Sequence, residues 1–572
     1  MMNSYQGTGV STGIGIGKAV VLNESGLDYS HVPFSGAETE KERLYSGVER
    51  FRLQTSQMAE DMEARAGEKQ AQILLGQIMM INDPFMLSQI HERIEEKGQC
   101  AEAALDAVCG LYIDMFSSVD DELTRERAAD VRDLRERMLK ILLGVKEADI
   151  GAIPPGTVLI AGEITPSMAS AVNAEHLAGM AAETGGATSH LSILARAMRV
   201  PTVLSVENAR ALVQNGDIVI VDGTDGKLIV NPDDRTLSLY RARREAAERE
   251  RTLLEKYKAR PTVTADGRKA AIYANIGTAV EAGAALDAGA EGVGLFRTEF
   301  LFMDRSGPPS ENEQYEAYKE AAKSLNGRKL IIRTLDVGGD KDVPYLKLAR
   351  EENPFLGYRA IRYCLDREDI FMPQLRAILR SSAHGSVNIM LPLITCPDEI
   401  RQAKAVISRV KDELYEKGEP FNPDIPVGVM IETPAAAVMA DVLAKEADFF
   451  SIGTNDLTQY VMAADRGNGK VAYLNSPLNP AVLRSIKRVI GCAKAEDIPV
   501  GMCGEAAANP LMIPLLLSFG LEEFSVGASS VLAVRRLISN WTKKEADRLA
   551  GEVMKLSSAE GIRAYLSANV KV

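Results

Sequence analysis

The feature that most constrains the fold is a series of eight apolar segments after residue 260, most of them followed by a helical stretch. Short apolar runs bounded by glycine, proline and polar residues predict buried strands. Eight strands that alternate with helices predict a (β/α)8 barrel. The predicted strands are Ala270–Ile276, Gly292–Phe296, Leu330–Leu335, Val387–Leu393, Val427–Glu432, Asp448–Gly453, Ile498–Cys503 and Glu523–Val526.

Polar side chains follow several of these predicted strands at their carboxyl ends. Because the chemistry of a (β/α)8 barrel lies at that end, we expect these side chains to meet at one mouth of the barrel. Scattered surface polarity would not recur at the end of one strand after another. The residues concerned are Arg297, Arg333, Glu432, Asn455, Asp456, Cys503 and Glu505.

Arginines and carboxylates at one mouth favour a small, multiply anionic substrate that is bound together with a divalent cation. Arginine offers a fork of donors to carboxylate or phosphate, and Mg²⁺ takes one or two carboxylates plus substrate phosphate. Glu432 and Asp456 are therefore the predicted metal ligands, although either residue alone would be an ordinary helix cap or salt-bridge partner. Cys503 is either a buried inert thiol or a general acid that protonates a carbanion or enolate.

A helical region lies in the part of the chain that precedes the barrel. Residues 36–146 contain long periodic stretches of charged and apolar residues and a single proline, Pro84, which predicts a helical bundle. This segment holds 22 acidic and 15 basic residues, a net charge of −7 that is about half of the total. Charge alone favours solvated helix faces here, and an acidic docking surface is the alternative.

The remaining segments complete the predicted domain organisation. In residues 147–232, short apolar runs are separated by turn-forming residues such as glycine, proline, asparagine and aspartate, which predicts a compact α/β domain. We expect the glycine-rich segment 1–35 to add a strand to its sheet, so that the bundle is an insertion into a discontinuous domain. Residues 233–260 are highly charged and predict a linker helix, and 261–572 form the barrel. The predicted fold class is therefore α/β and multidomain.

A second candidate centre lies in the α/β domain. His190 follows Gly185-Gly186-Ala187-Thr188-Ser189 and precedes an apolar run, so we expect it at the amino terminus of a helix. An imidazole at that position could accept a phosphoryl group, because free N–H donors and the helix dipole stabilise the charge. A histidine taken alone is more often structural. Of the five histidines in the chain, this is the one in such a setting.

Composition narrows the class of protein further. A chain of 572 residues predicts several domains. Its 66 Lys and Arg against 79 Asp and Glu leave a net charge of −13, which argues against binding to nucleic acid or to an anionic membrane. Six cysteines without a CxxC pair suggest neither zinc nor disulfides. Because no signal peptide or membrane span is evident, we expect a cytoplasmic protein.

Six separated motifs together resemble the Enzyme I family of the bacterial sugar phosphotransferase system, the phosphoenolpyruvate–protein phosphotransferases. The resemblance extends over essentially the whole chain in the expected order, including Ala128–Asp133 at the end of the predicted bundle. The motifs are Gly185–Arg196 (GGATSHLSILAR), Arg297–Phe302 (RTEFLF), Arg333–Lys341 (RTLDVGGDK), Asn353–Arg359 (NPFLGYR), Gly453–Tyr460 (GTNDLTQY) and Met502–Glu505 (MCGE).

The resemblance implies a role for each matching residue. His190 would be the phosphorylated histidine, and Cys503 would protonate the enolate of pyruvate. Two departures from the family pattern, Ala187 for a frequent arginine and Tyr358 for a frequent tryptophan, remove no reacting group. The implied substrate-binding residues are Arg297, Arg333, Arg359, Asn455 and Arg466, and the implied Mg²⁺ ligands are Glu432 and Asp456.

The resemblance also implies partners. The phosphoryl acceptor would be the small carrier protein HPr, docked on the acidic bundle, and the barrel would form a homodimer. Because His190 and the barrel lie in different predicted domains, phosphoryl transfer would require domain movement. Two alternatives are a non-catalytic phosphoenolpyruvate sensor and a dikinase or phosphoenolpyruvate synthase. The second would need a nucleotide-binding domain, for which residues 36–146 offer no glycine-rich phosphate loop.

Overall fold

The computed structural model describes residues 3–22, 27–66, 68–118, 122–145, 153–165, 168, 173–186, 190–303, 305, 307–338 and 343–571. The chain divides into two compact units, Met1–Glu250 and Arg251–Val572. Among the described residues, no helix is both long enough and apolar enough to cross a lipid bilayer.

The first unit contains an eight-stranded mixed sheet in which the earliest strands pair with later ones. The order across the sheet is β1-β8-β7-β3-β4-β5-β6-β2. β3 runs parallel to β4 and antiparallel to β7. The strands are β1 Asn3–Gln6, β2 Thr8–Ser11, β3 Ile14–Val21, β4 Thr157–Ala161, β5 Leu177–Ala182, β6 Thr202–Leu204, β7 Ile218–Asp222 and β8 Lys227–Val230.

Glycines of the amino-terminal segment allow this sheet to pack tightly. A Cβ placed on Gly15 would lie 2.0 Å from the carbonyl oxygen of Ala178, and one on Gly17 would lie 2.0 Å from that of Gly156. No side chain fits at such distances, so the glycine-rich composition of this segment follows from the close approach of backbones.

The residues that the structure describes between β3 and β4 form five helices. Their shared core contains Leu44, Phe51, Ile90, Leu105 and Leu134, all of which are fully buried. The start of α3 is capped by the Asp83 side chain, which accepts from the Phe85 and Met86 amides, and Gly98 ends this helix in the left-handed conformation. The helices are α1 Ala37–Ala66, α2 Glu68–Ile81, α3 Pro84–Lys97, α4 Ala101–Ser117 and α5 Glu122–Leu143.

In the described residues between the bundle and the barrel, three further helices can be given bounds. α6 begins at His190, as predicted, and its buried residues Leu194 and Ala195 pack in one core with Leu159 of the sheet. α8 is the long charged helix predicted as a linker, and every residue from 241 to 250 is exposed. The bounds are α6 His190–Met198, α7 Ala209–Leu212 and α8 Asp234–Glu255.

The second unit is a closed barrel of eight parallel strands. Each strand pairs with the next in chain order, and β16 closes the barrel on β9. The observed ends agree with the predicted ones to within two residues. The strands are β9 Ala271–Ile276, β10 Val293–Arg297, β11 Leu330–Arg333, β12 Val387–Leu391, β13 Val427–Ile431, β14 Phe450–Ile452, β15 Val500–Met502 and β16 Glu523–Val526.

Helices surround this barrel, and one continuous apolar core fills the space between helices and strands. The predicted fold class is confirmed, whereas the predicted boundaries of the individual domains stay predictions. The helices are α9 Val280–Asp287, α10 Glu311–Ser324, α11 Ile361–Asp366, α12 Glu368–Ser381, α13 Pro397–Glu416, α14 Pro434–Val438, α15 Ala440–Leu443, α16 Thr454–Met462, α17 Pro480–Ala495, α18 Ile513–Phe519, α19 Val531–Ser539, α20 Lys543–Val553 and α21 Ala559–Asn569.

Candidate active site

The inside of the barrel ends in a ring of polar side chains above an apolar floor. Side chains two residues apart on a strand share a face, so inward-facing apolar residues predict which polar residues come next. Leu295, Ile331 and Met430 belong to one buried cluster inside the barrel. Two residues further along their strands stand Arg297, Arg333 and Glu432. The alternation of each strand therefore directs these three side chains to the mouth.

One cavity at this mouth, with a volume of about 560 Å³, brings eight of the nine predicted site residues together. Residues that the sequence analysis did not assign to the site, among them Glu299, Asp336 and Met430, line the same cavity. The predicted residues that line it are Arg297, Arg333, Arg359, Glu432, Asn455, Asp456, Arg466 and Cys503.

Arg333 is buried and held by two carboxylates. Its Nη2 lies 2.7 Å from Oε1 of Glu299, and its Nη1 lies 3.1 Å from Oδ2 of Asp336. A buried guanidinium is stable only when its charge is paired in this way. The pairing fixes the orientation of the guanidinium plane before any ligand arrives.

Arg359 and Arg466 are linked through Asp456. Arg359 donates from Nη2 to Asp336 at 2.8 Å and to Asp456 at 3.3 Å. Arg466 donates from Nη1 to the other oxygen of Asp456 at 2.9 Å. The ring of Phe355 lies beneath both guanidinium groups, with its centroid 5.9 Å and 5.6 Å from their Cζ atoms. Two cationic groups therefore share one carboxylate and one aromatic face.

Arg297 differs from the other three arginines of the cavity. Within the described part of the chain, it has no ion-pair partner, and it is half-buried at the end of β10. Its five N–H donors therefore remain available to an anionic ligand. Asn455 is oriented by a hydrogen bond that its Oδ1 accepts from the amide of Glu505 at 3.1 Å.

Glu432 and Asp456 form the acidic side of the cavity. Oε1 of Glu432 accepts from the Leu393 amide at 2.7 Å. Burial, with the charges of Asp456 and Asp336 nearby, raises the pKa of Glu432 to about 8. A Cβ on Gly453 would lie 2.8 Å from Oε2 of Glu432, so a larger residue at this position would displace the carboxylate.

This donor set fits Mg²⁺. Among the described residues, no group of three or more histidine, cysteine and acidic side chains forms a complete metal site. Two hard carboxylates at the edge of an open cavity are instead typical of Mg²⁺, which keeps water ligands and takes further oxygens from a substrate phosphate. Carboxylates that repel each other would also be stabilised by a divalent cation.

Cys503 closes the floor of the cavity at the end of β15. It is 4% exposed and belongs to the apolar cluster inside the barrel. Burial raises the pKa of the Cys503 thiol above its ordinary value. The thiol is therefore protonated at neutral pH, which is the state that a general acid needs.

Sequence reasoning missed the carboxylates that orient the arginines. Glu299 and Asp336 belong to two of the motifs that carry the family resemblance, and the available signal was their spacing from Arg297 and Arg333. Tyr460 was missed in the same way: its hydroxyl accepts from Nη1 of Arg359 at 3.2 Å and donates to the Phe355 carbonyl. Tyr358, the departure noted above, has a hydroxyl bonded to Asp366 and an amide bonded to Glu351.

His190 belongs to the other unit, where it is the first residue of α6. The loop before it is anchored by two hydrogen bonds: the Ser192 hydroxyl donates to the Gly186 carbonyl at 2.6 Å, and the Ser205 hydroxyl donates to the Gly185 carbonyl at 2.7 Å. Gly185 has a φ of +114°, a conformation that favours glycine. Residues 187–189 and the imidazole of His190 lie outside the described structure.

Comparison with known proteins assigns these features to a family. Residues 251–543 match the PEP-binding domain of PEP-utilising enzymes, residues 6–127 match their N-terminal domain, and residues 153–226 match their mobile domain. A phosphoenolpyruvate-protein phosphotransferase of Geobacillus stearothermophilus is 45% identical over 98% of this chain and 97% of its own. The chain belongs to the phosphoenolpyruvate–protein phosphotransferase family.

Other members of this phosphotransferase family show similar agreement. The Bacillus subtilis (strain 168) phosphotransferase is 41% identical over the full length of both chains, and that of Staphylococcus aureus (strain Mu50 / ATCC 700699) is 40% identical over the full length. A solution structure described as Enzyme I (nEIt) is 31% identical over 43% of this chain and 99% of its own, with a TM-score of 0.37.

The family assignment confirms the predicted resemblance and the predicted class of activity. The chain is an enzyme, a phosphotransferase that uses phosphoenolpyruvate. Enzymes of the phosphoenolpyruvate–protein phosphotransferase family act with a phosphocarrier and need a divalent metal ion. The roles assigned above to individual residues stay predictions.

Proposed function

We propose that the enzyme transfers the phosphoryl group of phosphoenolpyruvate to its own His190 and then to a histidine of HPr, releasing pyruvate. The observation that carries the proposal is the one cavity in which four arginines, the carboxylates of Glu432 and Asp456 and a buried neutral thiol converge at the carboxyl ends of the barrel strands. Its residues lie within the match to the PEP-binding domain.

The four arginines suit the charge of phosphoenolpyruvate. Arg333, Arg359 and Arg466 already neutralise the carboxylates around them, whereas Arg297 adds a positive charge without such a partner in the described residues. We therefore assign Arg297 and Arg333 to the substrate, with Arg359, Asn455 and Arg466 as further contacts to its phosphate and carboxylate. Fork-shaped donors match both groups of this substrate.

The metal ligands in this proposal are Glu432 and Asp456, with Mg²⁺ as the cation. When bound, Mg²⁺ supplies charge neutralisation for the phosphate oxygens. The two carboxylates lie on neighbouring strand ends, after β13 and within the first turn of the helix after β14. Both carboxylates therefore lie on the same side of the cavity.

The chemistry consists of one substitution and one proton transfer. A ring nitrogen of His190 forms a bond to phosphorus, and the bond between phosphorus and the enolate oxygen breaks, so the electron pair leaves with the enolate. The arginines stabilise the charge on the equatorial oxygens. The enolate carbon then takes the proton of the Cys503 thiol, which yields pyruvate and a thiolate that solvent reprotonates.

The second transfer requires a docking surface for HPr, which we place on the helical bundle. Four exposed apolar side chains lie beside the turn from α2 to α3 and along α4. Burial and the nearby charge of Asp83 raise the pKa of Tyr112, so α4 passes close to the start of α3, and both Asp83 and Asp114 are exposed. A basic, partly apolar face on the carrier would complement this surface. The apolar residues are Met79, Phe85, Leu111 and Met115, each more than half exposed.

Several finer points belong to the same proposal. The phosphohistidine domain would comprise 1–35 and 147–232, the HPr-docking bundle 36–146, the linker 233–260 and the barrel 261–572. The barrel would also form the homodimer. The enzyme would act in the cytoplasm, which suits an enzyme with six free cysteines that supplies phosphoryl groups to a soluble carrier.

Incubation of the purified enzyme with ³²P-labelled phosphoenolpyruvate and Mg²⁺ tests the first transfer. Phosphohistidine is labile in acid and stable in base, so we expect label that acid removes. His190→Ala should take up none. His176→Gln, which alters a histidine of the same unit whose Nδ1 bonds to the Ile153 carbonyl, should be labelled like the wild type. Acid-stable label, or label on His190→Ala, would contradict the proposal, and binding without label would favour the sensor alternative.

Transfer to HPr tests the docking surface separately. Replacing Phe85 and Met115 by lysine should raise the HPr concentration needed for half-maximal transfer by about tenfold, because the apolar contact is lost and like charges face a basic partner. Self-phosphorylation by phosphoenolpyruvate should not change. Lysine at the exposed Tyr415 of the barrel is the matched control. Equal effects of the two changes on transfer would place the docking surface elsewhere.

A further inference from the structure

A buried glutamine joins the two strand ends that carry Arg297 and Arg333. Gln374 lies on α12 and is fully buried. Its Oε1 accepts from the Leu335 amide at 2.8 Å, just beyond β11. Its Nε2 donates to Oγ1 of Thr298 at 3.2 Å, just beyond β10. One side chain thus holds both strands at the point where the regular ladder stops.

Thr298 completes the connection between the strands. The last ladder pair of β10 and β11 is Arg297 with Arg333. One residue further, the Thr298 hydroxyl donates to the carbonyl oxygen of Arg333 at 2.8 Å. The side chain of Thr298, which is also fully buried, therefore extends the ladder where the backbone no longer does. The next residue, Glu299, pairs with the guanidinium of Arg333.

The outer end of this connection is anchored on α10. Gln374 Nε2 also donates to the Tyr318 hydroxyl at 3.4 Å, and Tyr318 donates to Oε1 of Gln314 at 3.3 Å. Gln314 in turn donates from Nε2 to the Pro309 carbonyl at 3.2 Å. Every donor of the Gln374 amide has a partner, so the group cannot rotate without losing hydrogen bonds in a buried site.

An apolar residue would fill the position of Gln374 without the cost of burying an amide. The amide adds directional hydrogen bonds, which set the spacing of two backbone segments. Each of these segments carries one of the arginines assigned to the substrate. We propose that Thr298 and Gln374 are positioning residues for phosphoenolpyruvate, which hold the ends of β10 and β11 so that Arg297 and Arg333 keep one spacing. The inference rests on the proposed function, because it takes these arginines as the substrate contacts.

The test compares isosteric and conservative variants. Thr298→Val keeps the shape and removes the hydroxyl, so the Arg333 carbonyl and the Gln374 amide both lose a partner. We expect kcat/KM for phosphoenolpyruvate to fall roughly 10- to 100-fold, the effect of a small displacement of binding groups. Thr298→Ser restores the hydroxyl and should recover most of the activity. Gln374→Met removes the partner amide instead of the threonine hydroxyl and should also lower kcat/KM for phosphoenolpyruvate.

The matched control is Thr262→Val. Thr262 is a buried threonine of the same unit whose hydroxyl bonds to Glu291 and to Nε of Arg535, beside the start of β9 at the opposite end of the barrel. The Thr262→Val variant should lose thermal stability, as Thr298→Val does, but its kcat/KM for phosphoenolpyruvate should be unchanged. Exchange of phosphate between His190 and HPr, which does not use the barrel, should be normal in all four variants.

The outcomes separate the inference from the proposed function. A wild-type enzyme that takes up no label from phosphoenolpyruvate would overturn the proposed function and this inference with it. A wild-type enzyme that is labelled, together with a folded Thr298→Val of normal kcat/KM, overturns the inference alone. So does a Thr262→Val with the same kinetic loss, or a folded Thr298→Ser without recovery. If Thr298→Val does not fold, Gln374→Met takes its place: a folded Gln374→Met of normal kcat/KM would overturn the inference.

Discussion

Glu299 and Arg333 form an ion pair in the ring of polar side chains that lines the cavity, with side chains that are 3% and 8% exposed and a distance of 2.7 Å between Oε1 and Nη2. Glu299 follows β10, and Arg333 ends β11, so the pair spans neighbouring strands. Water is excluded from it, and the arginine is oriented before substrate binds. The pair therefore links the stability of the barrel to the geometry of the site.

Glu299→Gln should affect both properties. Removing one partner leaves a buried guanidinium with less compensation, which costs about 3 kcal/mol of unfolding free energy and should raise KM for phosphoenolpyruvate. Urea unfolding and steady-state kinetics measure the two effects. Glu291→Gln is the matched control, because Glu291 faces the buried Arg535 at 3.2 Å at the other end of the barrel. A similar rise in KM in both variants would mean that Glu299 acts only through stability.

Cys503→Ala should slow the formation of pyruvate while phosphoenolpyruvate still binds. Loss of a general acid lowers kcat by about 10²- to 10⁴-fold, whereas the arginines that bind the substrate are unchanged. Cys364→Ala is the control, since Cys364 is a fully buried thiol that bonds to the Leu335 carbonyl and does not line the cavity. Rapid-quench measurement of pyruvate and equilibrium binding of phosphoenolpyruvate measure the two properties. Equal loss of binding and rate in Cys503→Ala would indicate a structural thiol.

Chelation of divalent cations should abolish self-phosphorylation, and added Mg²⁺ should restore it. Asp456→Asn should raise the Mg²⁺ concentration needed for half-maximal rate about tenfold or more, because one of two charged ligands is lost. Asp441→Asn, which changes an exposed aspartate paired with Arg488 at 3.0 Å, should leave this concentration unchanged. A normal Mg²⁺ requirement in Asp456→Asn would exclude Asp456 as a ligand.

Glu545 should make the stability of the carboxyl-terminal helices depend on pH. Hydrogen bonds from Lys571 and from Thr542 lower its pKa to about 2. A lowered folded-state pKa adds stability that is complete above the ordinary pKa near 4.5 and is lost as the pH falls toward 2. Glu545→Gln should therefore be less stable than the wild type at pH 7 and equal to it near pH 2 in urea unfolding. Glu560→Gln, in the first turn of α21, controls for the loss of a charge at a helix start.

The sequence predicted the barrel and most of its site for one physical reason. Buried parallel strands are short and apolar, and the chain turns polar where a strand leaves the core. That pattern locates Arg297, Arg333, Glu432 and Cys503 at strand ends. The observed strands end one or two residues earlier than several predicted ones, because the predicted segments included polar residues that follow the last ladder pair.

The partners of these residues could not be predicted, since they depend on contacts between distant segments. Asp336 joins Arg333 to Arg359, and Phe355 supports Arg359 together with Arg466. Arg359 does not follow a strand directly but lies in the loop before α11. Only the resemblance to a known family assigned it to the site. The Gln374 amide, one helix away, carries no sequence signal for its role.

The sequence by itself determined the strands of the barrel, their order and the polar residues that follow them, because strand period and chain order are local properties. Tertiary structure decided which carboxylate pairs with which arginine and how β3 joins β4 across the 135 residues that separate them. It also decided that a buried threonine and glutamine hold two strand ends together. Such choices depend on the distances between side chains that are far apart in the sequence, and only the folded chain sets those distances.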